Sequence, residues 1–376
     1  MKDVYEQKRR KLAQEYNQSK DRYRTYKLIF NFLFCFGFIF FALEQKIYQE
    51  LITKLPFLDL KLLTFIIIIY AIYSSLDWTL NYFLFYQLEQ EYNLSNQSGS
   101  EWLIDKLKMS VLSILFLYIA ARAFLIFSSY YSDLWWIGFA LAGVLFTVVL
   151  NFLFPVVIFP MFFELTPYPD TPLRDRLMNL FATADVEVAD IYEFDLSSKR
   201  NSANAAVMGM GQTRKIILGD NLTEKYSNDE IEAVLAHEIA HHAYNDIFKL
   251  LFLQLGSLLI TTFILSTFWQ SLVDYLGYSN PYGIVVLPLF MITLGFLSWL
   301  LSPVELYLQR KTEEAADDFA LHLIEEPSKL GTALAKLADE SLVELKPSLY
   351  KLLFKASHPP IDKRVEKALQ WAEEKE

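Results

Sequence analysis

The chain alternates between long apolar runs and polar blocks. Six apolar runs approach the roughly 20 residues that a helix needs to cross a bilayer, and they are Leu28–Leu43, Leu62–Tyr86, Met109–Phe127, Leu134–Phe163, Phe248–Trp269 and Ile284–Leu301. The first of these runs is short and needs flanking residues to span. This pattern predicts a mainly α, polytopic membrane protein with about six transmembrane helices.

The polar blocks define the predicted organisation of the chain. In order, the predicted parts are a basic amphipathic segment (1–26), transmembrane helices 1–4 (27–163), a first polar block (164–246), transmembrane helices 5–6 (247–302) and a polar tail (303–376). The first 27 residues contain nine Lys or Arg side chains, so the positive-inside rule places them in the cytoplasm. Six spans then put the first polar block and the tail on the cytoplasmic side, where they can meet.

Composition removes several classes of function. Hydrophobic residues make up 53% of the chain and charged residues 21%, which is unusual for a soluble protein. The net charge of -10 comes from scattered acidic residues without a basic patch, so nucleic acid is not an expected partner. The single cysteine, Cys35, excludes an intrachain disulfide and a cysteine-based metal site.

The first polar block combines helical and extended patterns. Prolines end the fourth apolar run, and an amphipathic helical pattern begins near Thr171. Three short runs rich in β-branched or aromatic residues then predict a small β-sheet on the cytoplasmic side, and they are "VADIYEFD", "NAAVMGM" and "RKIILGD".

Two ionisable residues, Asp77 and Arg122, lie inside apolar runs. A charge there costs at least a few kcal/mol unless it faces protein or water. Each is therefore either paired with a neighbouring helix or exposed to a solvated chamber within the membrane. Both interpretations stay open at this point.

The segment "NDEIEAVLAHEIAHHAYND" carries the strongest chemical signal. It keeps helical periodicity after a capping candidate, Ser227 or Asn228, and its centre is H-E-x-x-H. His237 and His241 share one helix face, so their ring nitrogens can bind one tetrahedral zinc ion. Glu238 lies beside them and can act as the general base of peptide hydrolysis.

Zinc needs a third protein ligand. His242 points away from the metal-binding face and is expected in a supporting or surface position. The candidates that remain are His322, His358 and a carboxylate. In "SPVELYLQRKTEEAADDFALHL", Glu313 and Asp317 lie four residues apart on one helix face, so Glu313 can bind the metal while Asp317 accepts the free N–H of a metal-binding histidine.

These residues resemble a known family. "HEIAH" followed by "EEAADDFA" is similar to the gluzincin pattern, which selects Glu313 rather than Glu314 as the ligand. "SSKRNSANAAVMG", "KIILGDNL" and "SHPPIDKRVEKAL" resemble, in order, motifs of the type I CAAX prenyl protease family. The resemblance implies a gluzincin protease domain and one zinc ion per chain.

The same resemblance implies further roles. Asn204 and Ala205 match an edge-strand pair to which the substrate peptide adds. His358 and Arg364 match a histidine near the developing oxyanion and an arginine a few residues later. From the residues alone, a histidine before two prolines is at least as well explained as a helix cap.

The family encloses an intramembrane chamber within seven helices, whereas this chain shows six apolar runs. Its compact form resembles a prokaryotic member, which favours misfolded membrane proteins over prenylated C-a-a-X proteins as substrates. The expected partners are therefore a peptide or protein substrate, prenylated or membrane-bound, and membrane lipid. A transporter with a structural zinc site and a non-catalytic peptide-binding scaffold are the two rival hypotheses.

Overall fold

The computed structural model describes residues 4–131, 133–209 and 214–375. The α-helices of the described chain are α1 Gln7–Phe40, α2 Leu43–Lys54, α3 Leu58–Asn81, α4 Gln87–Glu91, α5 Gly99–Tyr130, α6 Trp135–Leu153, α7 Pro172–Thr183, α8 Asp220–Lys225, α9 Asn228–Ala243, α10 Asp246–Tyr275, α11 Leu287–Leu323, α12 Ser328–Glu340, α13 Leu349–Phe354 and α14 Ile361–Lys375. The strands are β1 Leu165–Pro167, β2 Asp190–Phe194, β3 Ala205–Met208 and β4 Lys215–Gly219.

Five helices in the described part of the chain are long and apolar enough to cross a membrane, and they are Leu58–Glu91, Gly99–Tyr130, Trp135–Met161, Asp246–Tyr275 and Ile284–Leu323. They confirm five of the six predicted spans. The first predicted run lies in α1, which forms with α2 a pair bent by 55° that makes a sixth span if counted as one. The bend falls at Ala42, whose φ of 50° lies in the left-handed region.

Helix α1 carries the basic segment and the first apolar run without a break, so it passes through the boundary predicted at residue 26. Its N-terminal end is fixed to the end of α12. Arg10 Nε lies 2.5 Å from Asp339 Oδ1, and the same guanidinium donates to the carbonyls of Ala338 and Val343. The basic segment is therefore packed against the last third of the chain.

The sheet has the strand order β1-β2-β4-β3. β1 pairs antiparallel with β2, β2 pairs parallel with β4, and β4 pairs antiparallel with β3. β2, β3 and β4 confirm the three predicted strands, whereas the sequence pattern did not predict the three-residue β1. β3 is an edge strand, so one side of its backbone is free of strand partners in the described sheet.

Helix α9 lies in the centre of the protease half. Ser227, one of the two predicted N-caps, forms a capping box with Glu230 at the start of the helix. Apolar side chains of α9 share one core with those of α7, the sheet, α12 and α14. α11 continues from the membrane into this half as one helix of 37 residues, which brings its last turns against α9.

The charged residues of the apolar runs are paired. Lys27 Nζ lies 3.0 Å from Asp77 Oδ1, and Arg122 Nε lies 3.1 Å from Asp59 Oδ1. The paired interpretation of Asp77 and Arg122 is therefore confirmed.

A cavity of about 810 Å³ opens between the membrane helices and β3. α5 and the span Trp135–Met161 supply most of its walls, and Ala206, Val207 and Met208 of the edge strand form another. A neighbouring cavity shares Thr147 and Asn151 with the first and extends along α11.

Candidate metal centre

Helix α9 presents two imidazoles to the same point in space. His237 and His241 are one helical turn apart, and their ring centroids are 5.1 Å from each other. The buried apolar residues of α9 pack on the other side of the helix, against the sheet and α12. This packing fixes which face of α9 turns toward α11.

Glu313 of α11 completes a group of three ligands. Its Oε2 lies 3.2 Å from His237 Nε2, and its Oε1 lies 3.6 Å from His241 Nε2. Metal–ligand distances of 2.0–2.2 Å around a tetrahedral ion place its ligand atoms about 3.4 Å apart. The two measured distances lie on either side of that value, so the three side chains fit one tetrahedral ion.

The hydrogen bonds of His237 strengthen this conclusion. Its Nδ1 lies 2.9 Å from Asp317 Oδ1, an acceptor, so Nδ1 donates to Asp317 and Nε2 is directed at Glu313. Glu313 Oε2 is buried, and two imidazole nitrogens converge on it, His237 Nε2 at 3.2 Å and His358 Nε2 at 3.3 Å. Without a proton on Nε2, the ring nitrogen and the carboxylate oxygen are both acceptors, and a metal ion between them satisfies both.

The charges around His237 favour a cation. Burial opposes its protonation, but hydrogen bonds with Asp317 and Glu313 outweigh burial and raise the pKa of His237 to about 9. Burial alone would raise the pKa of Asp317, yet its hydrogen bonds with His237 and Arg364 hold that pKa well below its usual range.

Asp246 supports the second imidazole, and the sequence reasoning missed it. Its Oδ2 lies 2.9 Å from His241 Nδ1, and its side chain is 3% exposed. Lys249 Nζ lies 2.8 Å from the other carboxylate oxygen. The sequence signal for this role was the position of Asp246, an acidic residue just before an apolar run and five residues after His241.

Glu238 lies between the two histidines in sequence, and its carboxylate shares their electrostatic environment. Burial raises its pKa, while the nearby His237 and His241 act in the opposite direction. A carboxylate with a raised pKa beside a metal position is suited to exchange protons with water.

Comparison with known proteins agrees with this geometry. The family model described as "Peptidase family M48" matches residues 167–372, more than half of the chain. The chain belongs to peptidase family M48. The N-terminal part, residues 1–164, matches a family model described as "CAAX prenyl protease N-terminal, five membrane helices".

Individual relatives support the same assignment. An uncharacterized metalloprotease, YhfN of Bacillus subtilis, is 25% identical across 91% of this chain and 84% of its own length. CAAX prenyl protease 1 of Saccharomyces cerevisiae is 26% identical across 96% of this chain and 86% of its own length. The crystal structure of S. mikatae Ste24p matches the fold with a TM-score of 0.88 at 20% identity, covering 97% of this chain and 90% of that chain.

The chain is thus a multi-pass membrane metalloprotease of family M48, with the fold of the Ste24p structure and a His–His–Glu site for a metal. The resemblance inferred from its motifs is confirmed, and the B. subtilis relative is consistent with a prokaryotic form.

Arg364 of this M48 peptidase contacts the carboxylate behind the metal position. Its Nε and Nη2 donate to the two oxygens of Asp317, each at 2.7 Å, in a bidentate pair. Nη2 also lies 3.4 Å from His237 Nδ1. This geometry gives Arg364 a positioning role toward His237, while its part in catalysis stays a prediction.

His358 lies on the open side of the site. Its Nε2 is 3.3 Å from Glu313 Oε2, its Nδ1 is 2.9 Å from Ser357 Oγ, and half of its side chain is exposed. A buried arginine, Arg310, holds this loop through the carbonyls of Leu352 and Ala356, at 2.6 and 2.7 Å. Sequence reasoning missed Arg310, although it lies three residues before Glu313 on the same helix.

His242 and the edge strand complete the site. His242 is buried rather than at the surface, and it contacts the carbonyl oxygen of Val207 in the edge strand. Burial lowers its pKa to about 4. Ala205 is the first residue of β3 and is buried, whereas Asn204 directly precedes the strand and is exposed.

Proposed function

We propose that this chain is a zinc-dependent endopeptidase that hydrolyses hydrophobic or membrane-associated peptides and proteins at the cytoplasmic face of its membrane. The observation that carries the proposal is the convergence of His237, His241 and Glu313, in which the Nε2 atoms of the two histidines lie 3.2 and 3.6 Å from the carboxylate oxygens of Glu313. Two imidazoles and one carboxylate with an open fourth position are typical of catalytic zinc sites.

In this proposal each side chain has a defined task. Bound zinc would supply Lewis-acid polarisation of the attacking water and the scissile carbonyl. Glu238 accepts the proton of that water and passes it to the leaving amine. His358, on the open side of the site, donates to the developing oxyanion, and Arg364 keeps Asp317 and therefore His237 in place.

The cavities support a hydrophobic substrate. The 810 Å³ cavity has walls made mostly of apolar side chains of the membrane helices and reaches the backbone of β3. Its neighbour is lined by Glu305 and Gln309, which lie eight and four residues before Glu313 on the same face of α11. A peptide that enters between the membrane helices can thus extend from the edge strand to the face of α11 that carries Glu313.

Several relatives are named CAAX prenyl proteases, a narrower substrate class than hydrophobic peptides in general. We favour misfolded or membrane-bound proteins for this chain, with prenylated C-terminal peptides as the second candidate. The cytoplasmic orientation rests on the nine basic residues among the first 27.

The proposal is tested with detergent-purified wild type and Glu238→Gln, each assayed for zinc by elemental analysis and for cleavage of quenched fluorescent peptides. Both proteins should carry about one zinc per chain. Wild type should cleave and lose activity with a chelator, and Glu238→Gln should be slower by at least about 100-fold. Equal inactivity of both zinc-loaded proteins on a broad peptide set would favour the scaffold or transporter hypotheses.

The same assay separates the two substrate candidates. One hydrophobic peptide is compared with and without a farnesyl group on a cysteine near its C-terminus. Faster cleavage of the unmodified peptide, or equal rates, supports the broader class. If only the farnesylated peptide is cleaved, prenylated C-terminal peptides become the favoured substrate class.

A further inference from the structure

The register of β3 determines which of its backbone groups are free. The Gly219 N–H donates to the Asn204 carbonyl at 2.9 Å, so these residues form a hydrogen-bonded pair of the antiparallel ladder. Such pairs alternate with pairs that make no hydrogen bonds to each other. Ala205 and Val207 therefore belong to the second kind, and their N–H and C=O groups point away from β4 toward the free edge.

The free edge carries two donors and two acceptors at these positions, and one acceptor is already used. His242 Nε2 lies 3.3 Å from the carbonyl oxygen of Val207. A carbonyl can only accept, so Nε2 is the donor in this bond. The contact also agrees with the outward direction that the register assigns to Val207.

We propose that His242 determines where substrate pairing with the edge strand ends. Because His242 Nε2 already lies at hydrogen-bond distance in front of the Val207 carbonyl, the outward groups left to a peptide within Ala205–Met208 are the N–H and C=O of Ala205 and the N–H of Val207. This inference rests on the proposed function, because it takes the added strand to be a peptide substrate.

The position of His242 gives this bond a second consequence. His242 follows His241 directly in α9, so the bond joins the edge strand to the turn of helix that binds the metal. A peptide aligned on Ala205 is thereby held at a fixed register relative to that turn. His242 is therefore a positioning and specificity-determining residue.

Each backbone bond can be tested with peptides methylated at one amide nitrogen at a time. A methyl group removes one N–H donor, so binding weakens only where the protein uses that donor. Peptide binding to zinc-loaded Glu238→Gln is measured by fluorescence anisotropy, because this background binds without cleaving. One sensitive amide is expected, opposite the Ala205 carbonyl, with a loss of about 3- to 10-fold in affinity.

The decisive comparison adds His242→Leu to the same background. Once the Val207 carbonyl is free, a second amide, two residues from the first, should become sensitive by a similar factor. His242→Gln is the matched variant, because its side-chain amide keeps a donor and should restore the single-amide pattern. The direction of the two-residue step reports whether the peptide adds antiparallel or parallel to β3.

The scan of the His242-containing protein is informative even if a variant fails to fold. Sensitivity at two amides in that protein would overturn the inference, because the Val207 carbonyl would then accept from the peptide. Absence of any sensitive amide would also overturn it. Cleavage by wild type is scored separately, so a failure of the peptidase proposal is distinguishable from a failure of the pairing rule.

Discussion

Two regions of the molecule contain charged side chains that face one another, and the balance between positive and negative charge differs between the two regions. In the membrane half, Lys27 faces Asp77 and Arg122 faces Asp59, one opposite charge for each. The metal centre instead gathers four carboxylates, those of Glu238, Glu313, Asp317 and Asp246, around its two histidines. The only buried cationic side chain against them in the described structure is that of Arg364.

The difference separates structural charges from functional ones. A paired charge in the membrane lowers the cost of burial and needs nothing further. An excess of negative charge in a buried site is unfavourable until a cation enters it, so the site binds one. This contrast argues against a transport role for Asp77 and Arg122, because each of them already has a partner of opposite charge.

The largest effect is expected from the third ligand. Glu313→Gln keeps the shape of the side chain but removes its charge, so metal content should fall from about one to below about 0.1 per chain and cleavage should be lost. Elemental analysis and the fluorescent peptide assay measure both. The matched control is Glu314→Gln, whose exposed carboxylate pairs with Lys311 and should leave both values unchanged. Full metal content in Glu313→Gln would remove Glu313 from the ligand set.

A smaller effect is expected from the two carboxylates behind the histidines. Asp317→Asn and Asp246→Asn should each weaken metal affinity by about 10- to 100-fold, because both carboxylates orient a ligand and raise its basicity. The loss should be larger for Asp317, since its removal also leaves Arg364 buried without its partner. Competition with a chelator measures the affinities.

Asp318→Asn is the control for this pair, because Asp318 is the next residue of α11 and its carboxylate pairs with Lys367 near the surface. Its metal affinity should match that of wild type. Wild-type affinity in Asp246→Asn would show that His241 does not depend on its carboxylate partner.

The smallest effect on metal content and cleavage rate is expected from the ion pair of Lys27 and Asp77 in the membrane half. Lys27→Met and Asp77→Leu should each lower thermal stability in detergent, because each leaves a charge unpaired, and the double variant should recover part of the loss. Metal content and the cleavage rate should stay within about 3-fold of wild type. Loss of cleavage in stable, metal-loaded Asp77→Leu would contradict the contrast between the regions and place Asp77 in a functional chamber.

Patterns that depend on local spacing were predicted from the sequence. The H-E-x-x-H spacing fixes two side chains on one turn of a helix, and the four-residue step from Glu313 to Asp317 does the same on α11. Three of the four strands were predicted because their β-branched runs lie between polar turns. β1 has only three residues and ends in a proline, so it carries too little pattern.

Features that depend on a change of chain direction were not predicted. Asn245 adopts a φ of 56°, and this left-handed residue turns the chain so that Asp246 points back to His241. Arg310 contacts two carbonyls about 40 residues further along the chain, and no spacing rule connects them. Asp77 and Arg122 were recognised as costly, but the choice between pairing and a wet chamber required the neighbouring helices.

The hairpin of α10 and α11 has a consequence for biosynthesis. His237 and His241 are synthesised before this hairpin, whereas Glu313 lies at the far end of its second helix. The three ligands reach the same side of the membrane only when both helices have inserted. Chains that stall halfway or insert one helix wrongly hold an incomplete set of ligands. The complete set of metal ligands thus forms only in correctly inserted molecules. Peptidase activity therefore requires that the membrane topology is complete.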